Sequence, residues 1–171
     1  GVTSVESIAM LHEGSYATGH TDGFVRYWSS DGQVTNEVDC GSGMVLSLDF
    51  DYVRSQLAIG TANGSVQILK QDSDSPLMKF RGHSGPTEAV SFLPDGTLIS
   101  AGDDAQIIAW DSRTMKKVTS IDSGHGGILD VAVSGNKLAS IGLDGVVRLW
   151  LLPSFSLLAE LRGHDDFIWS I

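Results

Sequence analysis

Two markers recur along this chain with one period, and that period limits the fold more than composition can. Four short apolar segments end in a large anchor residue: Trp28 closes FVRYW, Leu69 closes VQIL, Trp110 closes IIAW and Trp150 closes VVRLW. The anchors are spaced by 41, 41 and 40 residues. A Gly-His pair marks the other end of the unit at Gly82-His83, Gly124-His125 and Gly163-His164, with Gly41-Ser42 in that slot once. The chain therefore divides into units over residues 1–41, 42–82, 83–124 and 125–163, with the start of a fifth at 164–171. A unit of this length cannot bury its own hydrophobic faces and must stack against its neighbours.

Within each unit the apolar residues alternate in short runs. In the first, strands are expected at Ser4–Met10, Tyr16–Gly19, Phe24–Trp28 and Val34–Val38, separated by Glu13-Gly14, Asp22-Gly23 and Asp31-Gly32. The turn before the anchor strand recurs as Asp22-Gly23, Asn63-Gly64, Asp104-Ala105 and Asp144-Gly145. Such pairs favour two-residue hairpins in which both central residues have positive φ, so Ala105 is expected to bend the third turn differently. No segment sustains a helical period, and the 20 glycines read as turn residues. The fold class is all-β, and the period is that of four-stranded propeller blades. The strand after each anchor is expected to join its blade from the following unit.

The GH…WD pattern resembles the WD-repeat β-propeller family over essentially the whole chain. In that family a His, a Ser or Thr, an Asp and a Trp hydrogen-bond across each blade. Carried over by position, the third unit holds the full set as His83, Ser100, Asp104 and Trp110, and the fourth as His125, Ser140, Asp144 and Trp150. The first has Thr18, Asp22 and Trp28 with Gly1 in the His slot, and the second has Ser42, Ile59, Asn63 and Leu69. Ile59 with Leu69 is a joint apolar replacement, which avoids leaving a buried polar group unpaired. The resemblance implies rings of about seven or eight blades. Three arrangements suit four units: a portion of a longer propeller, half of a ring completed by another chain, or a free-standing ring. The first is expected, because an uncapped half-propeller exposes two inter-blade faces.

The charge balance, 11 basic against 21 acidic residues for a net −10, repels a phosphate backbone. Nucleic acid is thus a poor main partner. No apolar stretch approaches the roughly 20 residues of a membrane-spanning helix, and no membrane insertion is expected. A single cysteine, Cys40, fits a reducing intracellular setting, cytoplasmic or nuclear. His83, Ser100 and Asp104 have the residue types of a nucleophilic triad. Their recurrence one unit later, each time with a Trp, assigns them to blade architecture and leaves no catalytic residue. His12, His20 and Cys40 lack metal-ligand spacing and read as turn or surface residues. Gln71–Ser75 lacks the glycine and the terminal Glu of a calcium loop. No metal or cofactor is expected.

What remains is a surface. In the family, partners dock near the start of the innermost strand and just before the turn Asp. The first location gives Glu6, Leu46, Glu88, Leu129 and Trp169, with Phe167 beside it; the second gives Thr21, Ala62, Asp103 and Leu143. The carboxylates would attract basic peptide segments, and Phe167 and Trp169 are the aromatic anchors. The expected function is a non-catalytic scaffold binding peptides or partner proteins within a complex. A hydrolase using channel carboxylates and a purely structural subunit are the alternatives.

Overall fold

The computed structural model describes residues 3–41, 43–71, 73, 75, 77–114 and 116–171. These form four antiparallel sheets of four strands. The first holds β1 (Val5–Met10), β2 (Tyr16–His20), β3 (Phe24–Trp28) and β4 (Val34–Asp39). The second holds β5 (Val45–Asp51), β6 (Gln56–Thr61), β7 (Ser65–Lys70) and β8 (Met78–Arg81). The third holds β9 (Thr87–Phe92), β10 (Thr97–Gly102), β11 (Gln106–Asp111) and β12 (Lys117–Asp122). The fourth holds β13 (Ile128–Ser134), β14 (Lys137–Gly142), β15 (Val147–Leu151) and β16 (Ser156–Leu161). Each sheet is a meander in which neighbours in sequence are neighbours in space. The outer strand therefore follows directly from the three before it and is not borrowed from the next unit, contrary to expectation. Val34–Asp39 pairs with Phe24–Trp28 across a short turn, the least costly way to satisfy its backbone groups.

The recurrent turn also differs from expectation. The N–H of Gly23 donates to the His20 carbonyl, and Gly64, Ala105 and Gly145 donate to Thr61, Gly102 and Gly142 in the same way. Only this last residue is left-handed, with φ of 86°, 80°, 61° and 66° in turn. This is the three-residue loop in which an αL residue follows the turn. The acidic or amide side chain before it accepts the N–H two residues on, as in Asp22 to Phe24 and Asn63 to Ser65. Ala105 does not alter the geometry; it adopts the glycine conformation.

The sheets stack face to face in chain order, with the inner strand β1 packed on β5, β5 on β9 and β9 on β13. The face bearing the anchor packs on the preceding sheet. Leu69 joins Ala17, Val25, Tyr27 and Val38; Trp110 joins Ala58, Val66 and Ile68; Trp150 joins Ala89, Ile99 and Ile107. Side chains also tie inner strands together. Ser7 Oγ accepts the N–H of Leu48 at 2.9 Å, and one unit later Ser47 Oγ accepts that of Val90 at 3.0 Å. Asp49 reaches the N–H of Phe92 at 2.6 Å. Asp130 takes the N–H of Ile171 at 3.1 Å, so the last residues sit where the next inner strand would start.

Among the described residues, two apolar faces have no sheet against them. On the first sheet Trp28 stacks on Tyr16, with ring centroids 5.8 Å apart, beside an exposed Met10. On the fourth, Leu161 is 50% exposed, whereas its counterpart Val38 in the first sheet is 1% exposed.

Holding an alanine left-handed costs roughly 1–2 kcal/mol relative to the right-handed region. Ala105→Gly should therefore stabilise the chain, by about 0.5–1 kcal/mol once the entropy of the glycine is counted. Urea denaturation measures it, and an unchanged or lowered midpoint contradicts it.

Candidate functional site

In the third blade, His83 Nδ1 lies 2.8 Å from Asp104 Oδ1, its Nε2 lies 2.7 Å from Ser100 Oγ, and Trp110 Nε1 donates to the same Oγ at 2.9 Å. One donor order satisfies every group: indole N–H to serine oxygen, serine O–H to Nε2, and Nδ1–H to the carboxylate. The fourth blade has the same spacing, with His125 at 2.7 Å from Asp144 and 3.0 Å from Ser140, and Trp150 at 2.9 Å from Ser140, and adds Arg148, whose Nη1 lies 2.6 Å from both His125 Nδ1 and Asp144 Oδ2. Ser100 and Ser140 are completely buried, and each hydroxyl is engaged by both indole and imidazole. A buried hydroxyl that already accepts one hydrogen bond and donates another is a brace between strands, and no substrate carbonyl can reach it.

The first blade builds its version differently. Trp28 donates to Thr18 at 2.7 Å, and the imidazole on Thr18 belongs to His20, also at 2.7 Å. His20 is buried, so its reading as a turn or surface residue is corrected. It lies two residues along β2 from Thr18, where successive same-face side chains meet. Gly1, assigned to the His slot here, lies outside the described residues. Asp22 turns to Arg26 at 2.7 Å, and Arg26 also holds Glu37 at 2.6 Å.

In the second blade Ile59 and Leu69 are fully buried, as a joint apolar replacement requires; Ser42 lies outside the described residues. The polar network has moved sideways. Thr61 bonds Ser65 at 2.6 Å, and the buried Gln67 amide donates to Ser65 at 3.2 Å and to the Cys40 carbonyl at 2.8 Å. Sequence reasoning missed this network, although polar residues alternating in an apolar strand were its signal.

Cys40 is buried, not on the surface as expected, and burial pushes its thiol up to about 11. Such a thiol is a poor nucleophile and a poor metal ligand. His12 lies in a short 3₁₀ turn, edge-on to Phe50 and Tyr52. No group of three or more metal-binding side chains occurs among the described residues. Within Gln71–Ser75, Asp72 and Asp74 lie outside them.

The inner strands enclose a groove of about 720 Å³ that brings together Glu6, Leu46, Glu88, Leu129 and Trp169. Burial raises the Glu88 carboxyl above its ordinary value, and neighbouring Asp103 adds to the shift. Asp103 and Leu143 are not in the groove wall. They meet across Gly127, where a Cβ would come within 3.2 Å of Leu143 Cδ1 and 3.4 Å of Asp103 Oδ1. Phe167 stands edge-on to Trp169, with centroids 6.2 Å apart, and Trp169 is 72% exposed. Asp49 and Asp130 also line the groove, and sequence reasoning overlooked them. Both sit at the inner-strand end of the inter-blade bonds described above.

The family model described as "WD domain, G-beta repeat" matches residues 74–111 and 115–150. The chain is 32% identical over 162 residues to the nuclear distribution protein nudF of Aspergillus niger, covering 90% of this chain and 37% of that protein. It is 26% identical over 163 residues to the pre-mRNA-splicing factor cwf17 of Schizosaccharomyces pombe, covering 92% of this chain and 48% of that one. It thus spans less than half the length of these curated relatives. Its fold is similar to that of a chain in the crystal structure of a mitotic checkpoint complex, with a TM-score of 0.88 at 20% identity, over 95% of this chain and 55% of that chain.

Ser100→Ala strands the Trp110 N–H and the His83 ring in a dry interior, and should cost about 2–3 kcal/mol. Ser140→Ala should cost a similar amount, and a loss below about 0.5 kcal/mol in chemical denaturation would contradict the bracing role. The networks also make stability depend on pH. Burial, offset in part by Asp144, holds His125 below its ordinary 6.5, and burial followed by Arg26 lowers His20. Burial works to raise Asp104 and Asp144, but hydrogen bonds from His83, and from Arg148 and His125, outweigh it and hold both below 3.8. All four depressed values have the same sign: the unfolded chain takes up the proton first. Their stabilisation is complete above pH 6.5, declines below it as the histidines titrate, and declines again below 3.8. The thermal midpoint should fall between about pH 7.5 and pH 5, and less steeply in His125→Gln; a flat profile would contradict this.

Proposed function

From a chain that belongs to the WD-repeat family, we propose a non-catalytic platform that binds peptides or partner proteins within a multi-protein assembly. One observation carries the reading. In the two constellations with the residue types of a nucleophilic triad, the serine and the histidine are buried inside the blades and bonded to each other, while the accessible chemistry collects in the inner-strand groove. There Glu6 and Glu88 supply negative charge, Leu46 and Leu129 supply apolar floor, and Trp169 supplies an exposed aromatic edge. That mixture fits a basic segment carrying an apolar side chain. Asp103, Leu143 and Phe167 extend the surface beyond the groove wall.

The apolar faces of the first and fourth blades are where further propeller blades, from the same or another chain, would seat. A setting inside the cell, cytoplasmic or nuclear, accords with a splicing factor among the relatives. The raised carboxyls of Glu88 and Asp49, which both line the groove, are what would favour a channel-carboxylate hydrolase, and a structural subunit would use the blade edges instead of the groove.

Replacing Glu6, Glu88 and Trp169 together, by Gln, Gln and Ala, separates these readings. On the platform reading, partners recovered by affinity capture are lost, while the fold is retained. If every partner stays bound, the groove is not the binding surface. Turnover of ester or glycoside substrates that disappears with Glu88→Gln would establish the hydrolase instead.

A further inference from the structure

The second blade breaks the repeat chemically, and the break has a direction. Turn position and register pairing define three equivalent positions in the first three sheets and the first two of them in the fourth. At the turn stand Asp22, Asn63, Asp104 and Asp144. Opposite the middle of the third strand, the outer strand carries Glu37, Lys79, Ser120 and Glu160. Two residues further along, beside the turn, stand Asp39, Arg81 and Asp122 in the first three blades. The first blade is thus acidic at all three positions, and the second is neutral at the turn and basic at both others. Its third strand changes in concert: Arg26 and Arg148, which hold Glu37 and Glu160 in the first and fourth blades, are replaced by the neutral Gln67.

The result is a cationic spot on a chain with net charge −10. Lys79 and Arg81 line one pocket of about 490 Å³ with Asn63, Ser65, Ser84 and Gly85. Neither cation has a carboxylate within 4.0 Å among the described residues. Lys79 Nζ donates to the Cys40 carbonyl at 2.7 Å, which anchors the ammonium and leaves two of its protons for a ligand. The nearby carboxylate of Asp104 is already held by His83, by the Ser84 N–H at 2.9 Å and by the Gln106 N–H. The guanidinium of Arg81 presents a fork that matches two oxygens of a carboxylate or phosphate.

We propose that this pocket at the edge of the second blade is an oxyanion site, taking a phosphate monoester or carboxylate side chain on an acidic segment of a protein partner. It rests on the platform reading only for the protein nature of the partner. It lies apart from the groove, with opposite charge, so the two surfaces would engage different segments.

The test is an amide-resolved NMR titration of the intact protein with four probes: a neutral peptide carrying one phosphoserine, the same peptide with a Glu pair in its place, the unmodified peptide, and inorganic phosphate. Saturable shifts at Ser84 and Gly85 are expected with the two anionic peptides and not with the unmodified one. Arg81→Gln should weaken binding about tenfold or more, and the Lys79→Gln, Arg81→Gln pair should abolish it. Arg113→Gln, a cation elsewhere on the surface, should leave binding unchanged. No saturable shift with any anion, or equal affinity in Arg81→Gln, overturns the site. Inorganic phosphate binding as tightly as the phosphopeptide overturns its assignment to a partner's side chain. Retained anion binding in the Glu6, Glu88, Trp169 variant shows that the groove and the pocket are separate.

Discussion

A four-stranded sheet with apolar side chains on both faces has no stable existence alone in water; it must be covered twice. That requirement governs everything else in this chain. It sets the period, because each unit must supply one whole sheet before the next begins. It sets the anchor, because the residue near the end of the third strand reaches into the sheet before it. It also explains why the hydrogen-bonded quartet is placed as it is. A large indole is the most effective way to fill the inter-sheet space, but its N–H then needs a partner in a place without water. Ser100 and Ser140 supply one, and the imidazole and carboxylate behind them complete the chain of donors out to the turn.

The same requirement explains how the second blade manages without the quartet. Leu69 fills the space without bringing an N–H, so Ile59 can stand where the serine was, with no polar group orphaned. The polar side chains this blade does bury, Thr61, Ser65 and Gln67, satisfy one another and the Cys40 carbonyl. Once the tryptophan was gone, the constraint on charge at the blade edge was released as well. Asn63 replaces an aspartate that no longer has an imidazole to orient.

Much of this was legible in the sequence, because stacking imprints itself as a repeat. The all-β class and the four repeating units follow from spacing, and both complete quartets from the resemblance to the WD-repeat family. What was not legible depended on directions that spacing does not encode. His20 is two residues from Thr18, a separation that looks like an ordinary turn position until the strand is seen to continue through it. The conformation of Ala105 is imposed by the hairpin around it against its own preference. Whether an outer strand joins its own unit or the next depends on where the unit is taken to begin, which periodicity leaves free. Of the surface residues, those on inner strands converge because the strands do. Asp103 and Leu143 lie on turns, whose path across the blade edge the sequence pattern leaves open.

The ties between inner strands are not uniform. Ser7 and Ser47 each clamp a backbone N–H of the next blade, Asp49 adds a second clamp, and Asp130 holds the closing segment. At the boundary between the third and fourth blades the equivalent residue is Ala89, whose methyl group cannot accept a hydrogen bond. Among the described residues that boundary is held by hydrophobic packing without such a clamp. In a linear array, where stability is a sum of units and nearest-neighbour couplings, one weaker coupling divides the array into cooperative blocks. At Ala89 the series of serine clamps is interrupted, so this seam relies on side-chain packing, centred on Trp150, where the seams before it also have a hydroxyl tie.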